Sequence, residues 1–175
     1  MSIIKPNNNT ISAITALPAA ISVGITEADQ WRLSANKTNV SAFEILDSNW
    51  ERVDHTGYDK IGTGMSESSG IFTFPSTGIY LVSFHIMVSG AGSNYISSKI
   101  SITTNNSSYS IKSEAYANTS SSSDWGNATS NLFLDVTDTS NVKVKFGIDS
   151  DNAISYKGST NANYTWSNFI RLGDT

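Results

Sequence analysis

Few side chains in this 175-residue sequence are equipped for chemistry, and their spacing decides how much each can do. With two histidines and no cysteine, a thiol nucleophile, a thiolate zinc site, an iron–sulfur cluster and a disulfide framework are all excluded. His55 lies in Asp54-His55-Thr56-Gly57, between strand-like stretches. As a general base it would need a serine on a strained elbow, but no Gly-x-Ser-x-Gly occurs, and Gly64-Met65-Ser66-Glu67-Ser68 fails at its last position. His55 therefore reads as a turn residue bonded to nearby carboxylates. His85 sits inside an alternating strand and reads as a packed or subunit-facing histidine more than a ligand. Asp149-Ser150-Asp151-Asn152 offers oxygens at alternate positions, an arrangement that suits calcium, yet the Gly and Glu of a helical calcium loop are missing. Asp149 and Asp151 are thus the metal candidates, with a self-capping turn as the plainer reading, and no other cofactor is expected. There is no phosphate loop and no dinucleotide fingerprint. No enzyme activity is expected.

Such a chain must use its residues for packing and surface recognition instead. Ser, Thr and Asn make up 64 of the 175 residues, whereas only 15% are charged, so solubility rests on neutral polar groups that favour turns and exposed strand faces. Eight Asn-x-Ser/Thr sequons follow from that composition by chance. The formal charge is −4, and the eleven basic residues form no cluster, which argues against nucleic acid and anionic membranes as partners. No stretch is long and apolar enough to suggest membrane insertion. The length suits one domain with a core of its own.

Strand signals dominate and no helical period lasts beyond two turns. Short candidates are 30–35, 41–46 and 50–53, followed by a Gly- and Ser-rich connection over 57–70. The clearest strands are 71–74 and 79–88, joined by Pro75-Ser76-Thr77-Gly78. In the second of these Tyr80, Val82, Phe84, Ile86 and Val88 share one face, and Leu81, Ser83, His85 and Met87 the other. The first face reads as core. The second, where Leu81, His85 and Met87 mix apolar with polar character, is the candidate subunit interface. Strands at 95–103, 109–116, 128–136, 142–148 and 164–172 follow, separated by Asn-, Asp- and Gly-rich turns. Eight to ten antiparallel strands without helix predict an all-β, two-sheet jelly roll.

At Gly70-Ile-Phe72-Thr-Phe74-Pro75-Ser-Thr-Gly78-Ile-Tyr80-Leu-Val-Ser-Phe84-His85 the sequence resembles the signature of C1q-like globular domains, members of the C1q/TNF jelly-roll superfamily. Phe72 fills the core, Pro75 ends a strand, Gly78 permits the turn and Tyr80 opens the next core strand. Residues 166–172 are similar to the family's closing strand, with Phe169 in the core and Asn168 where the family usually has Gly. The resemblance covers 27–175 and implies a homotrimer. Ile4-Lys5-Pro6-Asn7-Asn8-Asn9-Thr10 through Ala16-Leu17-Pro18-Ala19-Ala20-Ile21 is similar instead to the start of structural proteins from tailed phages of marine and freshwater bacteria, which implies that 1–26 is an extended arm docking on other virion proteins. Its docking candidates are Ile4, Pro6, Ile14, Leu17, Pro18 and Ile21. A weak secretory signal is the competing reading of this segment, and the Asn7-Asn8-Asn9 run and Pro18 count against it. An arm this short, reaching roughly 80 Å when fully extended, would keep the domain close to whatever it decorates.

If the strands from 79 onward alternate in direction, the connections 89–94, 117–125 and 149–163 share one end. In C1q-like folds the N-terminal connection lies at the opposite end, near the C-terminus. Asp124, Trp125, Tyr156, Lys157 and Asn161 are the ligand candidates at the loop end, of a kind that suits a host-surface glycan or a polar protein face. The resulting expectation is a non-enzymatic trimeric appendage on a virion surface, on capsid or tail. The alternatives are a tail-fibre tip that recognises host glycans and a secreted bacterial lectin-like module.

Overall fold

The structure, a computed structural model, describes residues 24–90 and 92–175. The arm residues Ile4, Pro6, Ile14, Leu17, Pro18 and Ile21 lie outside the described residues. Within these, the chain contains no helix and thirteen strands. In order they are β1 (Ala28–Leu33), β2 (Lys37–Val40), β3 (Glu44–Ile45), β4 (Trp50–Arg52), β5 (Ser66–Ser68), β6 (Ile71–Thr73) and β7 (Gly78–Gly90). After them come β8 (Ser93–Thr103), β9 (Ser110–Thr119), β10 (Trp125–Val136), β11 (Lys143–Ser150), β12 (Ile154–Tyr156) and β13 (Trp166–Gly173). The extra strands relative to the sequence reading are short ones, β2, β5 and β12, each of three or four residues.

Two antiparallel sheets face each other in a jelly roll. In the first, β7 is flanked by β10 on one side; on the other, β13 pairs with its first half and β12 with its last residues. β1 and β4 extend the sheet beyond β13, and β2 lies beyond β12. The second sheet runs β5-β6-β11-β8-β9, with β3 also paired to β11. Among the places where the chain changes sheet are the connections between β7 and β8, between β9 and β10, and between β11 and β12. All three of those crossings fall at the end where β7 finishes.

The sheets meet over an aromatic core. The inward residues of β7, from Tyr80 to Val88, are essentially inaccessible to water. Phe84 stacks on Phe146 at 4.7 Å, while Phe72 makes edge contacts with Trp50 at 5.2 Å and Phe146 at 5.2 Å and lies 5.3 Å from Phe169. Aromatic pairs in these offset and edge arrangements add about 0.5–1.5 kcal/mol each beyond the area they bury. Tyr80 caps this core at the start of β7, donating from its hydroxyl to the Ser76 carbonyl at 3.1 Å. Gly78 has a φ of +143°, and a Cβ there would come within 2.5 Å of the Gly173 carbonyl oxygen, so the closing strand requires glycine as much as the turn does.

Two inward serines, Ser130 on β10 and Ser167 on β13, flank Phe84 in register from either side. Both are buried, and neither hydroxyl has a hydrogen-bond partner. An unsatisfied buried hydroxyl costs on the order of 1–3 kcal/mol, and alanine removes it with little loss of volume. Ser130→Ala and Ser167→Ala are each expected to stabilise the protein by about 1 kcal/mol in urea unfolding, and a loss of stability in either variant would show that the hydroxyl is satisfied in solution.

Candidate functional site

The outward face of the first sheet is fixed by the same alternation that builds the core. Leu81, Ser83, His85 and Met87 project from β7 and are each half-buried. The register sets them in rows across the neighbouring strands. Phe133 of β10, Leu81 and Ile170 of β13 form an apolar row, with Phe133 72% exposed. Asn131, Ser83 and Asn168 form a polar row above it, extended by Gln30, whose amide donates to Asn168 at 2.7 Å. Thr129, His85 and Trp166 make the third. His85 stacks on Trp166 with ring centroids 5.2 Å apart and 19° between planes, and its Nδ1 lies 2.7 Å from the Thr129 hydroxyl. Burial lowers the His85 pKa from its ordinary value. Sequence reasoning found Leu81, His85 and Met87 but missed Phe133, Trp166 and Ile170. The signal for Phe133 was present, since it stands as a large aromatic between Asn131 and Asp135 on a face that also carries Asn127 and Thr129.

At the other surface of interest, the three crossings converge as strand parity requires. Asp151 accepts from the Ser93 hydroxyl at 2.6 Å, the Asn94 amide at 3.0 Å and the Asn94 side chain at 2.6 Å. Asn152 donates to the Gly92 carbonyl at 2.8 Å. These bonds tie the third crossing to the first. Asp124 accepts from the backbone amides of Ser120 and Ser121, both at 2.8 Å, and so shapes the second crossing from within. Between them lies an open cleft of about 490 Å³. At the opposite end the Glu27 carbonyl accepts from the Arg171 amide at 2.9 Å, which brings the start of the described chain beside its C-terminal strand.

The loop candidates separate into different roles. Trp125 opens β10, with its side chain 62% exposed and the Lys157 ammonium 5.8 Å from its ring. Tyr156 is not a loop residue. It belongs to β12, is fully buried and donates its hydroxyl to the Asp149 carbonyl at 2.7 Å, so it cannot contact a ligand. Asn161 is exposed but lies away from the cleft, because 157–165 is an excursion between two strands on the same edge of β7. There the Ser159 amide donates to the Leu33 carbonyl and the Gly158 amide to Asn36. Asp149 does not join Asp151 in a metal site; it pairs with Lys99 at 3.1 Å and accepts from the Tyr95 hydroxyl at 3.3 Å. Among the described residues no group of three or more His, Asp or Glu side chains could hold a metal ion. The two histidines are far from any triad. His85 stacks as described, and His55 forms part of a turn with Nε2 buried and unpartnered, where a carboxylate contact was expected.

No family model and no curated protein sequence matches the chain. Solved structures do. A crystal structure of murine APRIL at pH 8.5, 14% identical, superposes with a TM-score of 0.59 over 83% of this chain and 98% of that one. APRIL at pH 5.0 gives 0.60 at 13% identity over the same shares. The Eiger TNF of S. frugiperda, 14% identical, gives 0.56 over 85% of this chain and 93% of that one. The chain has the TNF-like jelly-roll fold.

The titrating groups predict two separate acid transitions. His85 is held neutral in the fold, so an unfolded chain binds its proton first and stability falls as the pH drops below about 6.5. Hydrogen bonds from Ser121 to Asp124, from Ser140 to Asp138, from Ser93 to Asp151 and from Tyr116 to Glu114 hold those carboxyls below their usual range. Their contribution is present above about pH 4 and lost below it. In melting curves taken from pH 7.5 to 3, His85→Gln is expected to flatten the upper transition and leave the lower one. An unchanged upper transition would assign it to another group.

Proposed function

We propose that this chain is a non-enzymatic structural protein of a bacteriophage particle, a homotrimer of TNF-like jelly rolls that decorates the virion surface. The observation that carries the trimer is the outward face of the first sheet. Phe133, Leu81 and Ile170 form an apolar row, separated from the stacked His85 and Trp166 by the Asn131–Ser83–Asn168 row, and Phe133 stands mostly in water. Covering a large aromatic side chain is worth about 1.5–3 kcal/mol, repeated in each copy of a symmetric assembly.

Residues 1–26 serve as the docking arm. The described chain enters beside β13, at the end away from the three crossings, so an arm bound to a particle leaves the crossings pointing outward. Three arms at one base multiply a weak single-chain contact through effective concentration. Capsid decoration is the reading adopted here for the position on the particle.

Light scattering after size exclusion is expected to give about three times the 18.8 kDa chain mass. Phe133→Asp should yield a folded monomer, with unchanged β-sheet circular dichroism because the side chain is exposed in the single chain. A wild-type monomer at every concentration would remove the trimer. Deleting residues 1–26 should leave the mass trimeric while abolishing antibody labelling of purified particles; a truncated protein that still labels them would place the docking surface on the domain.

A further inference from the structure

We propose that the cleft among the three crossings is a binding site for a neutral saccharide. The described residues that line it include Ser93, Asn94, Asn118, Ser120, Asp151 and Asn152, and none is apolar or basic. That lining discriminates strongly between ligand classes. A phosphate or nucleic acid needs Lys or Arg, which the wall lacks. A lipid or flat aromatic ligand needs an apolar wall, and a protein partner an aromatic or aliphatic anchor seated in a pocket. A calcium ion needs six to eight oxygens, several of them anionic. Here the single carboxylate of the cleft, Asp151, already accepts three protein hydrogen bonds. What complements a wall of amides, hydroxyls and one fixed carboxylate is a ligand dense in hydroxyl groups, each both donor and acceptor.

The site is built before the ligand arrives. Asp151 and Asn152 lock the first and third crossings together, and Asp124 holds the backbone of the second. Gly92 lets the first crossing approach the second closely, since a Cβ there would lie 3.0 Å from the Ser120 carbonyl oxygen. Fixed loops keep the ordering cost of binding low, which matters when each hydrogen bond contributes little. Asn118, which lines the same cleft as Asp151, makes no hydrogen bond described in the structure, so its amide is available to a sugar hydroxyl. Ser93 hydrogen bonding keeps the Asp151 carboxyl ionised well into the acid range, as a strong acceptor. The cleft lies within one protomer, so this inference stands apart from the trimer and the virion role.

The test is a set of amide ¹H–¹⁵N spectra of the full chain with methyl α-mannoside, methyl β-glucoside, methyl β-galactoside or methyl N-acetyl-β-glucosaminide. Each is added at about 10 mM, where a site with Kd near 1 mM is about nine-tenths filled. At least one glycoside is expected to move the amides of Asn94, Asn118, Ser120 and Asn152, with affinity reduced at least about tenfold in Asn118→Ala and in Asp151→Ala. Because Asp151 also ties two loops together, Asn118→Ala is the deciding variant, as its removal breaks no protein bond described here. Four results would overturn the proposal: no glycoside shifts, shifts confined to other residues, shifts unaltered by Asn118→Ala, or calcium chloride alone moving the cleft amides. Repeating the titration on Phe133→Asp separates the two readings, since binding by a monomer leaves the saccharide site standing whatever becomes of the trimer.

Discussion

The register of β7 governs everything else in this molecule. Its residues alternate without a break from Gly78 to Ser89, and the core requires Tyr80, Val82, Phe84, Ile86 and Val88 on one side. A period of two then sends Leu81, Ser83, His85 and Met87 to the other side, whatever their chemistry. A slip of one residue against β10 or β13 would expose Phe84 and bury Ser83, so the large free-energy cost of unpacking the aromatic cluster fixes both neighbours as well. The rows on the outer face, Phe133–Leu81–Ile170 and Thr129–His85–Trp166, are therefore by-products of core packing that selection has been free to decorate. The length of β7 also matters. It spans the sandwich from Gly78, where the closing strand ends, to Gly90, beyond which the chain crosses to β8 in the second sheet.

Those crossings make the cleft. A connection that changes sheet must bridge the thickness of the sandwich, about 10 Å, and the strands it joins do not pair with each other as those of a hairpin do. Three such bridges at one end leave backbone amides facing one another with no ladder to satisfy them. Short polar side chains meet that demand: Asp124 accepts from the Ser120 and Ser121 amides, Asp151 from the Asn94 amide and Thr119 from the Ser93 amide, while Asn152 donates to the Gly92 carbonyl. The opposite end uses the same device within single turns, where Asp138 caps Ser140 and Asn105 caps Ser107 and Ser108. The unusual abundance of Ser and Asn is thus the material of turns that hold their shape without help from the core.

The parts of this structure legible in the sequence were those governed by local periodicity. The alternation of 79–88 gave the core strand and its outer face, the Phe72 to Tyr80 motif gave the neighbouring turn, and counting strand directions gave the convergence of the crossings. Tyr156 was misplaced because β12 is three residues long, too short for a period of two to declare itself beside a turn. Asn161 was misplaced because β12 and β13 lie end to end on one edge of β7, an arrangement that turns an apparent end loop into a lateral excursion. The cleft depends on contacts between crossings 26 to 60 positions apart, such as Ser93 with Thr119 and Asn152 with Gly92, which no window on the sequence can see. Buried charges were hidden for the same reason. Arg32 is almost wholly buried against Glu51 and Asp54, and Asp29 accepts from Arg52, Trp31 and the Met65 amide.

The two outer faces of the sandwich are not equivalent, and the difference lies in which apolar side chains are already covered. On the second sheet the outer rings cover cations. Phe43 and Tyr116 lie 5.4 and 5.5 Å from the Lys99 ammonium, and Tyr109 lies 4.2 Å from that of Lys145. Burial alone would lower the Lys99 pKa, but hydrogen bonds with Asp149, Tyr116 and Glu114 outweigh it and raise it, so the ammonium stays charged and satisfied. Each of those rings already has a counterpart within the protomer, and a partner docking there would have to displace it. On the first sheet Phe133 has no ring or cation against it among the described residues, and its neighbours Leu81 and Ile170 offer only more apolar surface. A side chain in that position gains from burial and loses nothing by it. The same sheet that closes the core on one side is for this reason the face on which a second copy of the chain can settle.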